Sequence, residues 1–485
     1  MIKQITTILA VLVAFTMSAQ VGIGTSSPNA AAALDVVSTS KGLVPPRMTA
    51  VQRNSISNPP AGLMLWCSDC GTDGQLQVYN GSEYTNIIGG SRLLTPAHSQ
   101  IGGDIDGEAA GDYSGWSASL SSDGTIIAIG AVLNAGNGSN AGHVKVYQYD
   151  GSYWNQLGSD IDGEAASDKS GYSVSLSGDG TIVAIGAIYN DGNGSNAGHV
   201  RVYQYASSAW SQLGNDIDGE AAGDESGVAL SLSSDGDRLA IGARWNDGNG
   251  SSSGHVRVYQ YASAWSQLGS DIDGETSSNW SGCSVSLSGD GTTVAIGSTH
   301  NDNNTYSDAG HVRVYQYASD WIQLGSDIDG LSNWESAGFS VALSDDGTIV
   351  AVGATNSDGG GVNSGGVRVY QYASSTWSQL GNDIDGEAAT DSEGYSVSLS
   401  SDGSIVAIGA INNDGNGSNS GQVRVYQYSS GTWSQLGSDI DGEAAGDNSG
   451  FSVSLSSDGT NVSIGTPYND GNGSNSGHVR VYGIL

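Results

Sequence analysis

Acidic residues recur at close spacing in loops of this sequence, where they could bind a cation. The candidates share short, oxygen-bearing side chains at near-alternating positions; they are Asp160, Asp162, Glu164, Asp168, Asp191 and Asn193. Calcium is a hard cation that binds carboxylate and carbonyl oxygens in flexible loops. Turns require the same residue types, and exposed charge keeps a protein soluble. The sequence leaves both interpretations open, a calcium site and a set of acidic turns.

A second set of residues places large rings in loops where the surrounding sequence pattern has none. These candidate ligand contacts are Trp245, Trp280, Trp334, His300 and Tyr306. Aromatic rings flanked by amides and carboxylates suit stacking on sugars, while the polar groups bind hydroxyls. The alternative is that the rings cover their own loops.

Catalytic residues are harder to single out. Arg244 and Asp308 also depart from the local pattern, but no Ser-His-Asp order and no metal-spaced histidine pair emerges. The two carboxylates of a glycosidase cannot be recognised among 50 acidic residues. We therefore expect a binding or adhesion module and not an enzyme. The alternatives are a glycan-active enzyme and a purely structural surface protein.

The three cysteines fall into two cases. Cys67 and Cys70 form a CxxC pair, for which we favour a local disulfide over a redox pair because no thioredoxin-like strand and helix surround it. Cys283 stands alone at a position that other parts of the chain give to aromatic residues, and is most simply a small core residue.

Internal repeats determine which elements position these residues. The tetrapeptide Asp-Ile-Asp-Gly occurs seven times, 55 or 56 residues apart, starting at Asp104, Asp160, Asp216, Asp271, Asp327, Asp383 and Asp439. The copy from Asp160 contains four strand candidates, at residues 172–177, 181–187, 199–205 and about 210–217. Four antiparallel strands repeated seven times predict an all-β, seven-bladed β-propeller over residues 97–485.

Ring closure gives an independent check on that fold. The last copy lacks a fourth strand, and SQIGGDIDG before the first copy matches the fourth-strand sequence SQLGSDIDG. We therefore expect residues 98–105 to complete the seventh blade. Loops that lead into the blades and loops that join second to third strands should emerge on one acidic face.

The run SGYSVSLSGDGTIVAIGA followed by GHVRVYQY resembles the FG-GAP repeat of integrin α-subunit propellers, with Ser170-Gly171 in place of Phe-Gly. The resemblance covers roughly residues 97–485 and implies an extracellular ligand-binding or adhesion propeller. Family members often bind calcium between the first two strands. Here that loop is only Ser-Asp-Gly or Gly-Asp-Gly, so the family's calcium site is not carried over.

The chain before residue 97 differs in kind. Lys3, an apolar stretch and Met17-Ser18-Ala19 predict a secretory signal peptide over residues 1–19. Residues 20–88 resemble the N-terminal module of exported Bacteroidetes proteins, and their Gly-Ile-Gly-Thr stretch resembles phage tail-fibre stalks. We interpret them as a small β-rich attachment or spacer module, with a linker at residues 89–96.

Net charge restricts the partners of this protein. Fifty acidic against fifteen basic residues give −35, which repels nucleic acids and anionic membrane surfaces. No segment is predicted to span a membrane. The expected partner is a glycan or an extracellular or cell-surface protein, with calcium as the one candidate cofactor. The expected location is outside the cell or on its surface, with the periplasm as an alternative.

Overall fold

The computed structural model describes residues 21–23, 34–36, 45–56, 59–61, 63–68, 70, 75–79, 84–88, 98–303 and 305–484. The expected signal peptide and the expected linker lie outside these residues. The chain divides into two compact units, one up to residue 94 and one from residue 95. No helix among the described residues is long and apolar enough to cross a membrane.

The first unit is a small β-rich module with one short helix. Strand Val21–Ile23 pairs in parallel with Leu34–Val36. Helix Ala50–Asn54 begins after Thr49, whose side chain accepts a hydrogen bond from the backbone N–H of Gln52 at 3.3 Å. A four-stranded sheet completes the unit, with strands in the order Arg47–Met48, Met64–Cys67, Gln75–Tyr79 and Tyr84–Ile88.

A disulfide joins Cys67 to Cys70 within this first unit, with the two Cα atoms 5.5 Å apart. Cys67 is fully buried at the end of its strand.

Seven sheets of five strands form the second unit and are the blades of a propeller. The first strands are Ser114–Leu120, Ser170–Leu176, Ala229–Leu232, Ser281–Leu287, Ala337–Leu343, Glu393–Leu399 and Ser452–Leu455. The second strands are Ile126–Ala131, Ile182–Ala187, Arg238–Ala243, Thr293–Ser298, Ile349–Ala354, Ile405–Ala410 and Asn461–Thr466. The third strands are His143–Tyr149, His199–Ala206, His255–Tyr261, His311–Tyr317, Gly366–Ala373, Gln422–Ser429 and His478–Gly483.

Two short strands complete each blade. The fourth strands are Trp154–Gln156, Ala209–Gln212, Trp265–Gln267, Trp321–Gln323, Thr376–Gln379, Thr432–Gln435 and, for blade seven, Ser99–Gln100. The fifth strands are Ile161–Asp162, Ile217–Asp218, Ile272–Asp273, Ile328–Asp329, Ile384–Asp385, Ile440–Asp441 and, for blade seven, Ile105–Asp106. The all-β propeller fold predicted from the repeat is thus confirmed.

The sequence predicts the fourth strand of blade two as one run over about residues 210–217, but the structure divides this segment into two short strands. Ala209–Gln212 and Ile217–Asp218 pair separately with opposite ends of the third strand His199–Ala206. Between them Gly214 has a φ of +82°, and a Cβ there would lie 2.8 Å from the ring of Trp265. Only glycine tolerates that conformation and that close approach, so the chain bends out of the sheet at this point.

The ring closes through the two short strands that precede the first repeat. Gln100 pairs with Tyr482, and Ile105 pairs with Val479, both in the third strand of blade seven. These are the same two pairings that every other blade makes inside the chain. The chain therefore passes from blade seven into blade one in the same way as it passes between any other two consecutive blades.

The hydrophobic core lies between neighbouring blades. Val200 and Val202 of blade two, for example, pack against Leu239 and Ile241 of blade three, and all four are at most 1% exposed. Six fourth-strand tryptophans strengthen these interfaces, because each Nε1–H donates to a carbonyl of the preceding blade at 2.7–2.8 Å. They are Trp154, Trp210, Trp265, Trp321, Trp377 and Trp433.

Around the axis, the turns between first and second strands are joined by a closed circle of backbone hydrogen bonds. Each N–H donates to the carbonyl of the next blade at 2.8–2.9 Å, and the last returns to the first. The seven residues are Ser122, Gly178, Ser234, Gly289, Asp345, Ser401 and Ser457. Hydrogen-bonded strands lie about 4.8 Å apart. The circle of hydrogen bonds therefore keeps the seven blades in close contact where they converge at the axis.

Candidate functional site

The loops opposite that circle form one continuous surface. The leading loops are the segments that run from Asp-Ile-Asp-Gly to each first strand. The loop joining the second and third strands of one blade contacts the leading loop of the next. Asn193 illustrates the contact, because its Nδ2 donates to the carbonyls of Gly219 at 2.8 Å and Glu220 at 3.1 Å.

The start of each first strand directs one side chain toward the axis. In blade two this residue is Tyr172, which follows Gly171 in a left-handed conformation with a φ of +84°. A Cβ at Gly171 would lie 2.7 Å from the carbonyl oxygen of His143, so glycine is required there. The seven equivalent residues are Trp116, Tyr172, Val228, Cys283, Phe339, Tyr395 and Phe451.

Five of those seven residues form a chain of aromatic contacts around the axis. Ring centroids are 5.0 Å apart between Phe339 and Tyr395, and 5.0 Å apart between Tyr395 and Phe451. Trp116 continues the chain, 4.6 Å from Phe451 and 5.7 Å from Tyr172. These distances are typical of attractive aromatic pairs.

Blades three and four interrupt the aromatic chain because their first strands supply Val228 and Cys283. Trp280 and His300 occupy the space, with ring centroids 3.6 Å apart. Trp280 has a φ of +58°, and the equivalent residue of blade two, Lys169, has +55°. The repeat therefore imposes the backbone conformation, and this blade uses it to place an indole at the axis.

Arg244 of blade three is held beside Trp280 by an acidic partner. Its NH2 lies 3.1 Å from Oε2 of Glu225, and the same oxygen accepts a hydrogen bond from Trp245 Nε1 at 2.9 Å. Trp245 and Trp280 pack edge to face, 4.6 Å apart. The Nε atom of Arg244 is buried and has no hydrogen-bond partner.

Together these side chains enclose a pocket of about 450 Å³, which we call the axial pocket. Its wall comprises the seven first-strand residues together with Arg244, Trp280, Thr299, His300, Ser336, Thr355 and Asn356. The aromatic first-strand residues that line the pocket come from blades five, six, seven, one and two. The polar lining groups come from blades three, four and five. Pockets of this size and mixed lining are typical of small-molecule sites.

Titratable groups in the axial pocket are held mostly neutral. Burial lowers the pKa of His300, with a smaller opposing effect of Asp308. Burial raises the pKa of the Cys283 thiol and of the Tyr172 hydroxyl, although Arg244 opposes both shifts. Among the described lining residues none is an aspartate or glutamate. The Arg244 guanidinium, compensated by Glu225, is the charged group of the pocket.

The structure places two of the five predicted ligand contacts in the axial pocket and the other three outside it. Trp280 and His300 line the axial pocket, and Trp245 supports Trp280 from behind. Trp334 is 64% exposed and lies outside the pocket, although its carbonyl accepts a hydrogen bond from the pocket residue Asn356 at 3.1 Å. Tyr306 also lies outside, and its backbone N–H donates to Asn303 Oδ1 at 2.7 Å.

The six predicted calcium ligands do not form one cluster. Asp168 is buried and accepts hydrogen bonds from Ala165 N and Asn190 Nδ2. Asp191 accepts one from Asn196 N at 2.8 Å. These two carboxylates therefore hold turns together.

The other four predicted calcium ligands lie in different surroundings. Asn193 binds the next leading loop, and Asp162 is exposed. Asp160 lies near Glu108 and His143, whereas Glu164 lies near His199 and Asp216.

The aromatic residues of the first strands were not among the predicted ligand contacts. Their regular recurrence indicated packing, and it did not show that strands nearest the axis would leave a cavity between them. Their position directly after a glycine that recurs in all seven copies was the available signal. Arg244 was visible only as a departure from the repeat.

Comparison with known proteins agrees with the architecture. A family model for the FG-GAP repeat matches residues 161–203, from the fifth strand of blade one into the third strand of blade two. A family model described as a phage tail like trimerisation region matches residues 22–102. No curated protein sequence matches this chain.

A solved structure of a putative 6-phosphogluconolactonase from Bacteroides uniformis is similar, with 11% identity and a TM-score of 0.48. The similarity covers 77% of this chain and 93% of that one. Residues 161–203 of this chain thus match the FG-GAP repeat, and the seven copies of the internal repeat build a seven-bladed β-propeller.

Proposed function

We propose that this protein is an exported binding module that recognises a carbohydrate in the axial pocket. The observation that carries the proposal is the one-sided lining of the pocket. Rings from Phe339, Tyr395, Phe451, Trp116 and Tyr172 offer stacking surfaces, and the hydrogen-bonding groups of blades three to five accompany one further ring, that of Trp280. A sugar ring has an apolar face and a hydroxyl edge, so it fits this division.

Hydrolysis of the bound sugar is a weaker interpretation of the same site. Glycosidases use two carboxyl groups on either side of the scissile bond. The described lining of the axial pocket contains no carboxylate, and Glu225 is engaged by Arg244 and Trp245. We therefore propose binding without turnover.

A glycan array probed with the full-length protein tests the proposal, followed by calorimetry with any glycan that binds. Trp280→Ala and Tyr395→Ala should each weaken binding by about fivefold or more, because a stacked ring contributes roughly 1–3 kcal/mol by analogy with base stacking. Trp334→Ala is the matched control, since that indole lies outside the pocket, and it should leave affinity unchanged.

Two results would redirect the proposal. If no glycan binds, or if binding is unchanged in Trp280→Ala and Tyr395→Ala, a protein that contacts the same face replaces the carbohydrate as the proposed ligand. Release of a cleaved sugar would support the enzymatic alternative.

We also infer that the first unit assembles three chains, so that three propellers act together. The match of residues 22–102 to a phage tail like trimerisation region supports this inference. Three linked pockets bind a multivalent surface more tightly than one pocket does, because each later binding step is intramolecular. Size-exclusion chromatography with multi-angle light scattering should give three times the mass of one chain. A monomer at micromolar concentration would contradict the inference.

A further inference from the structure

A second group of side chains recurs beside the leading loops and takes no part in the axial pocket. In each of blades one to four a histidine that starts the third strand meets one carboxylate from its own leading loop and one from the next. One ligand atom of each residue lies within 4.8 Å of the others. In blades three and four the histidine Nδ1 atom has no hydrogen-bond partner, and these clusters are Glu220, His255 and Asp271, and Glu275, His311 and Asp327.

The histidines of these clusters are aimed at the carboxylates without bonding to them. His255 and His311 are each 1% exposed, and the Nδ1 atom of each has no hydrogen-bond partner. His255 Nδ1 lies 3.8 Å from Glu220 Oε2, and His311 Nδ1 lies 3.8 Å from Asp327 Oδ2. These distances are too long for hydrogen bonds. Two atoms that each lie about 2.0–2.2 Å from one metal ion can be separated in this way.

Local charge also suits a cation. Arg257 NH1 lies 3.6 Å from Glu220 Oε1, the oxygen that does not face the histidine. Two carboxylates and one guanidinium leave a net negative charge in the cluster of blade three.

We propose that the Glu220–His255–Asp271 and Glu275–His311–Asp327 clusters each bind a divalent transition-metal ion of the zinc class. An imidazole nitrogen with two carboxylate oxygens suits zinc, whereas calcium prefers an all-oxygen site. Each ion joins the leading loops of two consecutive blades through the third strand between them. Each bound ion thus stabilises the junction between two consecutive blades.

Titration of EDTA-stripped, full-length protein with zinc chloride, followed by calorimetry, tests the proposal. We expect saturable binding of at least two zinc ions per chain. The double variant His255→Gln/His311→Gln should lose two of them. Glutamine fits this position, because Gln422 occupies it in blade six, with Nε2 3.2 Å from Glu387 Oε2. Equal melting temperatures of variant and wild type in EDTA would show that the fold is intact.

Blade six allows a complementary gain of binding. Gln422 stands between Glu387 and Asp439, which correspond to Glu220 and Asp271. Gln422→His should add one zinc ion per chain, and cobalt should then show a stronger visible absorption band. Unchanged stoichiometry in the double variant, displacement of zinc by equimolar calcium, or no saturable zinc binding would overturn the proposal.

Discussion

The third-strand histidine of blade seven shows how one buried side chain makes stability depend on pH. His478 is 1% exposed, and its Nδ1 lies 4.0 Å from Glu443 Oε2. Burial and Arg480 lower its pKa to about 4, against the opposing effect of Asp104. The folded protein therefore disfavours the proton that the unfolded chain binds near pH 6.5.

We predict that His478 stabilises the fold fully above pH 6.5, and that this contribution is lost as the pH falls toward 4. The loss is roughly 1–2 kcal/mol at pH 5. His478→Gln should therefore reduce the fall in melting temperature between pH 7.5 and pH 5. Thermal unfolding in EDTA at both pH values measures this. An identical pH dependence in the two proteins would contradict it.

Only some of the individual residues that line the axial pocket could be predicted from the sequence. Trp280 and His300 differ from their counterparts in other copies, so the sequence made them visible. Tyr395 and Phe451 follow the repeat, and a repeating aromatic residue is indistinguishable from a core residue without the third dimension. Trp334 is equally irregular in sequence, yet it faces solvent.

Among the elements, the first strands owe their close approach to serine hydroxyls. Ser175 Oγ accepts a hydrogen bond from Leu232 N of the next blade at 3.0 Å, and Ser398 does the same for Leu455 N at 2.9 Å. Blade five has Ala342 at the equivalent position, which offers no acceptor to blade six.

We predict that Ala342→Ser raises the melting temperature by supplying an acceptor for the backbone N–H of Leu399. One buried hydrogen bond contributes about 1 kcal/mol. Ser175→Ala should lower stability by a similar amount, because it leaves Leu232 N without that acceptor. Melting curves of both variants at one pH compare the two directions. A loss of stability in Ala342→Ser would show that the added oxygen does not fit.

The number and order of strands within a copy were predictable, since apolar runs and turn residues alternate regularly. The division of the fourth strand was not. Leu213 and Ile217 are both apolar and read as one continuous strand, whereas the bend arises from contact between Gly214 and Trp265 of another blade. A contact between residues 51 positions apart is invisible in a local pattern.

For the whole molecule, ring closure decides whether the blades remain together. Ile105 belongs to the same hydrophobic cluster as Val479 and Val481, which join the first blade to the last. We predict that a fragment of residues 107–485 melts at a lower temperature than one of residues 97–485, and that it self-associates through the exposed strand His478–Gly483. Differential scanning calorimetry and light scattering measure both effects. Equal melting temperatures would mean that closure adds little.

Because the two ends of the propeller segment meet through the same two strand pairings that complete every other blade, the ring has no privileged starting point. A circular permutant opened at any other junction, with a flexible linker between residues 485 and 97, would need no contact that the native ring lacks. Folding order could then be changed while the final structure is kept, since a different blade would be completed last. The geometry of the ring therefore does not determine which blade comes first in the sequence.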